Sequence, residues 1–316
     1  MTARVFIDGA AGTTGLEIHE RLAERRDLKL ITLSDSERKE ARARARALND
    51  ADIAILCLPD DAAREAVSLI ENPDVRVIDA SSAHRAAPGW TYGFAEMEPE
   101  QRAKIKASHR VSNPGCYPTG FLALVRPLVR TGIVPPDFPI TVNAISGYSG
   151  GGKAMIVEFE DKDSPAYVET VSRIYGLTLA HKHVAEMLAH SGLSHPPVFA
   201  PSVGRFYRGM VVEVPLQLWA LPGKPATLDL HNVIAKAYAG EKLIEVENFT
   251  FGNLQTSLDA EMLKLTNGMK LFVYGNDKTQ QARLVAVLDN LGKGAGGAAV
   301  QNLNIMLGIP ETTGLV

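Results

Sequence analysis

Cysteine is nearly absent. The 316-residue chain has two, Cys57 and Cys116, in neither a C-x-x-C pair nor a Cys/His spacing that would hold a metal. That excludes a disulfide framework and a zinc site as organising features, and a reducing cytosol is the expected setting. Excess charge of one sign is also missing. The net charge of −3 gives no basic bias of the kind that binds nucleic acid. No apolar run approaches the length of a membrane span. The chain enters a strand at Arg4-Val5-Phe6-Ile7, which leaves no room for a signal peptide. Internal repeats are lacking, and the one low-complexity stretch, 40–48, reads as a solvated helix of good helix formers rather than a binding tract. What is there is 46% hydrophobic and 22% charged, a soluble composition with length enough for two domains.

The first half alternates strand and helix. Residues 5–7, 28–33, 52–58 and 75–79 read as strands, and 14–25, 38–48 and 61–71 as helices. This βαβα order with short connections predicts an α/β fold, a Rossmann-type doubly wound parallel sheet. Its first turn, Gly9-Ala10-Ala11-Gly12-Thr13-Thr14-Gly15, is G-x-x-G-x-x-G between a strand and a helix. Gly9, Gly12 and Gly15 allow a tight turn, and Ala11, Thr13 and Thr14 bring backbone to a pyrophosphate at the helix start. Asp35 alone, at the spacing of a ribose-binding acid, would suggest NAD. Its neighbours Ser34, Ser36, Arg38 and Lys39 suit a 2′-phosphate better, so NADP(H) is favoured. The other reading makes Arg38 and Lys39 the start of a solvated helix.

Cys57 sits in a short apolar run and reads as core. Cys116 does not. It lies in Ser112-Asn113-Pro114-Gly115-Cys116-Tyr117-Pro118-Thr119, a rigid turn followed by an apolar run at helical spacing, so its thiol is placed at a helix N-terminus. Free amides and the positive dipole end favour thiolate there. A nicotinamide domain followed by an activated cysteine implies attack on an activated carboxyl, loss of the leaving group, and hydride reduction of the thioester to an aldehyde. Such chemistry needs a proton shuttle. His181 and His183 precede or begin a helix with apolar positions Val184, Met187 and Leu188, ending near Gly192. Glu186, three residues after His183, could fix an imidazole tautomer. His181, in the loop, is expected to face the cysteine from a neighbouring domain. The leaving group is expected at Ser82 and Arg85, on a turn with free amides after the fourth strand. A second glycine-rich loop, 146–153, carries Ser149 and Lys153 and leaves its strand (140–145) with many free amides. Of the remaining histidines, His190 lies one repeat further along the His183–Glu186 face with nothing else to support a role, and His19, His84, His109, His195 and His231 are expected at surfaces or turns.

Across the glycine-rich turn, 81–85, 92–96, the Asn-Pro-Gly-Cys-Tyr-Pro-Thr segment, 146–153, 181–186 and 290–298, the chain resembles the N-acetyl-γ-glutamyl-phosphate reductases, in their shorter type. The resemblance implies NADPH-dependent reductive dephosphorylation of N-acetyl-γ-glutamyl phosphate, an acyl phosphate, in arginine biosynthesis. It makes Cys116 the nucleophile and the histidine segment the acid/base. Asn113 goes to the substrate and Asn290 close to the nicotinamide, with Gly294, Gly296 and Gly297 leaving backbone open near the cofactor. It also implies a dinucleotide domain of 1–116 and 296–316, in which helix 297–307 returns to pack. Residues 117–295 would form an α+β substrate and subunit-contact domain with a mixed sheet, in a homo-oligomer, dimer or tetramer. The sister readings are aspartate-semialdehyde dehydrogenase or a carrier-linked aminoadipyl-phosphate reductase. A different class is a non-enzymatic NADP-sensing regulator, which would have no use for a reactive Cys116.

Overall fold

The computed structural model describes residues 2–250 and 255–315. They divide into two compact units, Met1–Gly115 with Ala295–Val316, and Cys116–Gly294.

The first unit is a six-stranded, all-parallel sheet. Its strands are β1 (Ala3–Asp8), β2 (Leu28–Ile31), β3 (Ile53–Leu56), β4 (Arg76–Asp79), β5 (Thr91–Tyr92) and β6 (Arg110–Ser112), in the order β2-β1-β3-β4-β6-β5. The central strands read as continuous apolar runs because both faces are covered. One face packs against α1 (Thr13–Ala23), α4 (Gln101–Ala107) and the C-terminal helix, through Ile18, Leu22, Ile105, Val300 and Leu303. The other packs against α2 (Ala41–Asp50) and α3 (Asp60–Ser68), through Ala47, Leu48 and Ala66. The expected helix over 38–48 is in fact a 3₁₀ turn at Glu37–Lys39 and a separate α2, parted by extended backbone at Glu40. The turn forms because Glu37 reaches back to the Ser34 amide and hydroxyl.

The second unit is a mixed seven-stranded sheet. In chain order the strands are β7 (Thr141–Gly147), β8 (Ser172–Ile174), β9 (Val198–Gly204), β10 (Met210–Gln217), β11 (Ile244–Val246), β12 (Met269–Asn276) and β13 (Gln281–Leu288). They lie side by side as β11-β12-β13-β10-β7-β9-β8. Helix α5 (Cys116–Arg130) is buried along nearly all its length. It comes so close to the sheet that a methyl on Gly120 would lie 2.9 Å from a methyl of Val212. Against it pack α7 (Lys182–Ser191) and α8 (Thr227–Ala237), with the Tyr238 hydroxyl donating to the Ala123 carbonyl at 3.0 Å, while α6 (Gly152–Glu160) follows β7.

Helix α9 (Gly297–Leu307) closes the first unit, and every residue from Gly297 to Met306 is buried. Gln301, Asn302 and Asn304 are tolerated inside because each finds a partner. They donate to the Glu96 carboxylate, the Gly93 carbonyl and the Thr313 carbonyl at 2.8, 2.9 and 2.8 Å. Buried amides left without acceptors would each cost about 1–3 kcal/mol.

Candidate active site

The nucleotide end is built on the β1–α1 turn of the first unit. Gly9 has φ +90°, and a methyl there would lie 2.3 Å from the Cys57 carbonyl oxygen, so only glycine fits. A methyl on Gly15 would lie equally close, 2.3 Å, to the Gly9 carbonyl oxygen. Gly12 differs. It is the N-cap of α1, and a methyl on it would meet nothing nearer than 3.4 Å. Two glycines close the turn and the third leaves room before the helix, where Thr13 and Thr14 begin α1. Helix α1 has no side-chain cap and no acidic residue in its first turn, so its positive end is left for an anion. The residues present fit a dinucleotide.

A cavity of about 700 Å³ opens beside this turn, lined by Gly9 and Ala11, by Asp35 beyond β2, and by Arg38, Lys39 and Arg44. The two serines play a different part from the one expected. Ser34 donates its hydroxyl and amide to the Glu37 carboxylate at 2.6 and 2.9 Å, and Ser36 lies 3.2 Å from the Ser34 hydroxyl. Those donors hold the Glu37 carboxyl below its usual range. Arg38 is ion-paired with Asp35. The stretch expected to be a merely solvated helix supplies Arg44, whose guanidinium meets the Asp8 carboxylate at 2.9 Å.

Beyond β4 the amides of Ser81 and Ser82, expected to be open, are both taken. Asp79 accepts from the Ser81 amide and hydroxyl at 2.9 and 2.7 Å, and Asp60 accepts from the Ser82 amide and hydroxyl at 3.0 and 2.8 Å. His84 lies in a turn, as expected, but is largely enclosed there. Its Nδ1 lies 2.6 Å from buried Asp79, and its ring stacks on Trp90 at 4.1 Å. Arg85 donates to the Asn113 and Ala80 carbonyls at 3.0 and 2.9 Å. Asn113, expected at the substrate, is 1% exposed. Its amide donates to the Ala295 carbonyl and accepts from Asn302, at 3.0 and 3.1 Å. These side chains join the strand ends to α9, and a sequence motif alone does not reveal it.

Cysteine, histidines and glycine-rich loop all belong to the second unit. His181 therefore shares the cysteine's unit rather than facing it from a neighbouring one. Helix α5 begins at Cys116 itself, with Tyr117 and Pro118 in its first turn. The Tyr117 ring packs against His181 at 6.3 Å, His183 at 5.8 Å and Phe199 at 5.1 Å between centroids. Its hydroxyl lies 2.8 Å from that of Tyr175. Burial, with a smaller contribution from the nearby Cys116 charge, pushes both phenols up, Tyr175 to about 12. Tyr175 was not singled out in the sequence; it sits in a loop without periodicity.

His181 is the N-cap of α7. Its Nδ1 accepts the His183 amide at 3.1 Å, which leaves the proton of the neutral ring on Nε2. Burial, then Lys182, lowers its pKa below the ordinary histidine value. The buried stripe of α7 runs through His183, Glu186 and Met187, while Val184 and Leu188 flank it half-buried.

The 146–153 loop is pinned, contrary to the expectation of many free amides. The amides of Gly147, Tyr148 and Ser149 donate to carbonyls of Gly209, Phe206 and Tyr207 at 2.9, 2.9 and 3.1 Å. Asn290, expected near the nicotinamide, donates to the Ser149 hydroxyl and accepts the Gly209 amide, at 2.9 and 2.8 Å. It rivets the loop to the strand beside it. Lys153 stays exposed. Gly294, expected to leave backbone open, is packed instead: a methyl on it would lie 2.8 Å from the Cys116 Cβ.

The two thiols differ in a way that alkylation can read. Burial, with Asp79 and Asp8 nearby, pushes the Cys57 thiol up to about 12, and neither cysteine is bridged to another. Native protein at pH 8 should take up one equivalent of iodoacetamide per chain, on Cys116. Equal labelling of Cys57 would contradict this. Among the described residues no His, Cys, Asp and Glu cluster could hold a metal ion, and no helix is long and apolar enough to cross a membrane.

Comparison with known proteins gives the family. Residues 4–105 match the NAD binding domain of semialdehyde dehydrogenases, and 116–290 match their dimerisation domain. The fold and the cysteine-bearing unit thus define a nicotinamide-dependent oxidoreductase of the semialdehyde dehydrogenase class. The N-acetyl-γ-glutamyl-phosphate reductase 2 of a Nostoc species is 56% identical, over 99% of both chains. The N-acetyl-γ-glutamyl-phosphate reductase of Brucella ovis is 52% identical, over 98% of this chain and all of that one. The chain belongs to the N-acetyl-γ-glutamyl-phosphate reductase family. Among solved structures, aspartate semialdehyde dehydrogenase II of Vibrio cholerae shares the fold. Its TM-score is 0.73 at 15% identity, covering 97% of this chain and 98% of that one.

Proposed function

We propose that the protein reduces N-acetyl-γ-glutamyl phosphate with NADPH, giving N-acetylglutamate semialdehyde and phosphate, in the cytosol and as a homo-oligomer. The first unit is the cofactor unit and the second holds the substrate and the subunit contact. The observation that carries this reading is Cys116 as the first residue of α5, with Tyr117 packed on His181 and His183.

The helix start favours the Cys116 thiolate. The thiolate attacks the acyl carbon, the carbon–oxygen bond to phosphate breaks, and a thioester remains on Cys116. A bound nicotinamide supplies the hydride that reduces this thioester. The carbon–sulfur bond then breaks, releasing the aldehyde and restoring the thiolate. One proton is taken up overall, by the departing phosphate. The Nε2–H of His181 donates a hydrogen bond to the oxygen that gains charge in both steps, and the apolar wall of Tyr117 and Phe199 keeps water from that bond. His183 and Glu186, buried on the same helix face, orient the substrate. In the first unit Ser82 and Arg85 serve the phosphate, and in the second Ser149 and Lys153 serve the substrate. Arg85, Ser82 and Ser149 hold their loops in shape, and Lys153 is the exposed cation.

The reverse reaction tests the substrate. With NADP and inorganic phosphate, N-acetylglutamate semialdehyde should be oxidised and aspartate semialdehyde should not. The opposite preference would overturn the assignment. For the cofactor, replacing Arg38 and Lys39 together by alanine should raise the KM for NADPH by about tenfold or more and leave NADH unaffected, because each cation on a 2′-phosphate contributes about 1.5–3 kcal/mol. Equal use of NADH and NADPH by the unaltered protein would refute the 2′-phosphate reading.

A further inference from the structure

We infer that Asp289 and Arg208 are positioning residues for Cys116, acting through the 289–294 loop; this rests on Cys116 being the nucleophile. Asp289 is 0% exposed and follows β13 directly. One carboxylate oxygen accepts from Arg208 Nε at 2.6 Å and from the Leu265 amide. The other accepts from the Leu291 and Gly292 amides at 2.8 and 3.1 Å. The Asp289 carbonyl accepts the Gly294 amide at 2.9 Å. One residue therefore folds the loop back on itself and ties it to the 265–266 segment.

The loop has no slack on either side. A methyl on Gly292 would lie 2.0 Å from the Thr266 carbonyl oxygen. A methyl on Gly294 would lie 2.8 Å from Cys116 Cβ and 3.3 Å from its Cα. The loop is wedged between the 266 carbonyl and the first residue of α5, so its position sets the space around the Cys116 side chain. Arg208 supplies the countercharge for this buried carboxylate.

The test compares Asp289→Asn, Arg208→Lys and Arg208→Gln in the full-length protein. Asparagine can still accept from Leu291 and Gly292, but its NH₂ then faces the donors of Arg208 and Leu265. Three quantities are read: melting temperature, the rate of Cys116 alkylation by iodoacetamide at one fixed pH, and kcat with the KM for each substrate. Asp289→Asn should lower kcat at least tenfold and change the alkylation rate at least threefold, with both KM values within twofold. Arg208→Gln should do the same, and Arg208→Lys should restore most of the loss. A lower melting temperature with unchanged alkylation rate and kcat would overturn the inference and leave the pair a purely structural bridge. Should Asp289→Asn not fold, the contrast between Arg208→Lys and Arg208→Gln decides by the same criteria. Failure of the underlying reading looks different: Cys116→Ser would then keep turnover, whatever the loop variants do to alkylation.

Discussion

Cys116→Ser should keep the fold and cofactor binding and lose turnover by about 10³-fold or more, because serine has no comparable accessible anion at neutral pH. The substitution is nearly isosteric at the first position of α5, where serine is compatible with a helix start. It also keeps the close packing against Gly294, on which a methyl would lie 2.8 Å from the Cys116 Cβ. The melting temperature and the NADPH dissociation constant should therefore stay close to the parent's. Retention of a tenth of the activity would remove Cys116 as the nucleophile. An equal loss in a protein that no longer binds NADPH would point to damage of the fold instead.

The second large effect is at His181. Asparagine there can keep the α7 cap, since its oxygen accepts the His183 amide as Nδ1 does now at 3.1 Å. What it loses is the Nε2–H donor. His181→Asn should thus lower kcat by about 10²-fold or more with melting nearly unchanged, the size of effect seen when one donor to a developing oxyanion is removed. The pH dependence follows from the depressed pKa of His181, caused by burial and then Lys182. A histidine whose folded pKa is lowered binds more protons unfolded than folded. Its contribution to stability is present above the ordinary value of about 6.5 and is lost as pH falls through the lower folded value. Protonating Nδ1 also sets donor against donor at the cap. Stability and turnover of the parent should both fall on the acid side of about pH 6.5, and His181→Asn should flatten that limb. His183→Asn should mainly raise the substrate KM. If it gives the larger kcat loss in a stable protein, the two roles are exchanged.

Much of this was legible from residues alone. Apolar runs bounded by turn residues mark β1, β3 and β4. The spacing of Gly9, Gly12 and Gly15 marks the dinucleotide turn, where the left-handed φ of Gly9 and the approach of Gly15 to the Gly9 carbonyl are local limits. Cys116 at a helix start is likewise a local fact, written in Pro114, Gly115 and Pro118. What the sequence hid depends on tertiary placement. Nothing near Ser82 in the chain announces Asp60 as its partner, whereas the Ser34–Glu37 contact is local, a Ser-x-x-Glu pattern that competes with any role of Ser34 toward a ligand. Gly294, Gly296 and Gly297 read as openness, whereas Gly294 is glycine because Cys116 leaves no space, as Thr266 leaves none at Gly292. Asn113 and Asn290 carried the family resemblance, yet both amides are spent on holding loops. Tyr175 reaches the site only because its hydroxyl meets Tyr117.

The most direct test of the central claim is to incubate the protein with N-acetyl-γ-glutamyl phosphate in the absence of any nicotinamide, quench with acid, and map the adduct by mass spectrometry. The expected result is one phosphate released per chain and an N-acetylglutamyl group on the peptide carrying Cys116, discharged when NADPH is added before the quench. Phosphate release with Cys116 unmodified, or an adduct on any other residue, would contradict it.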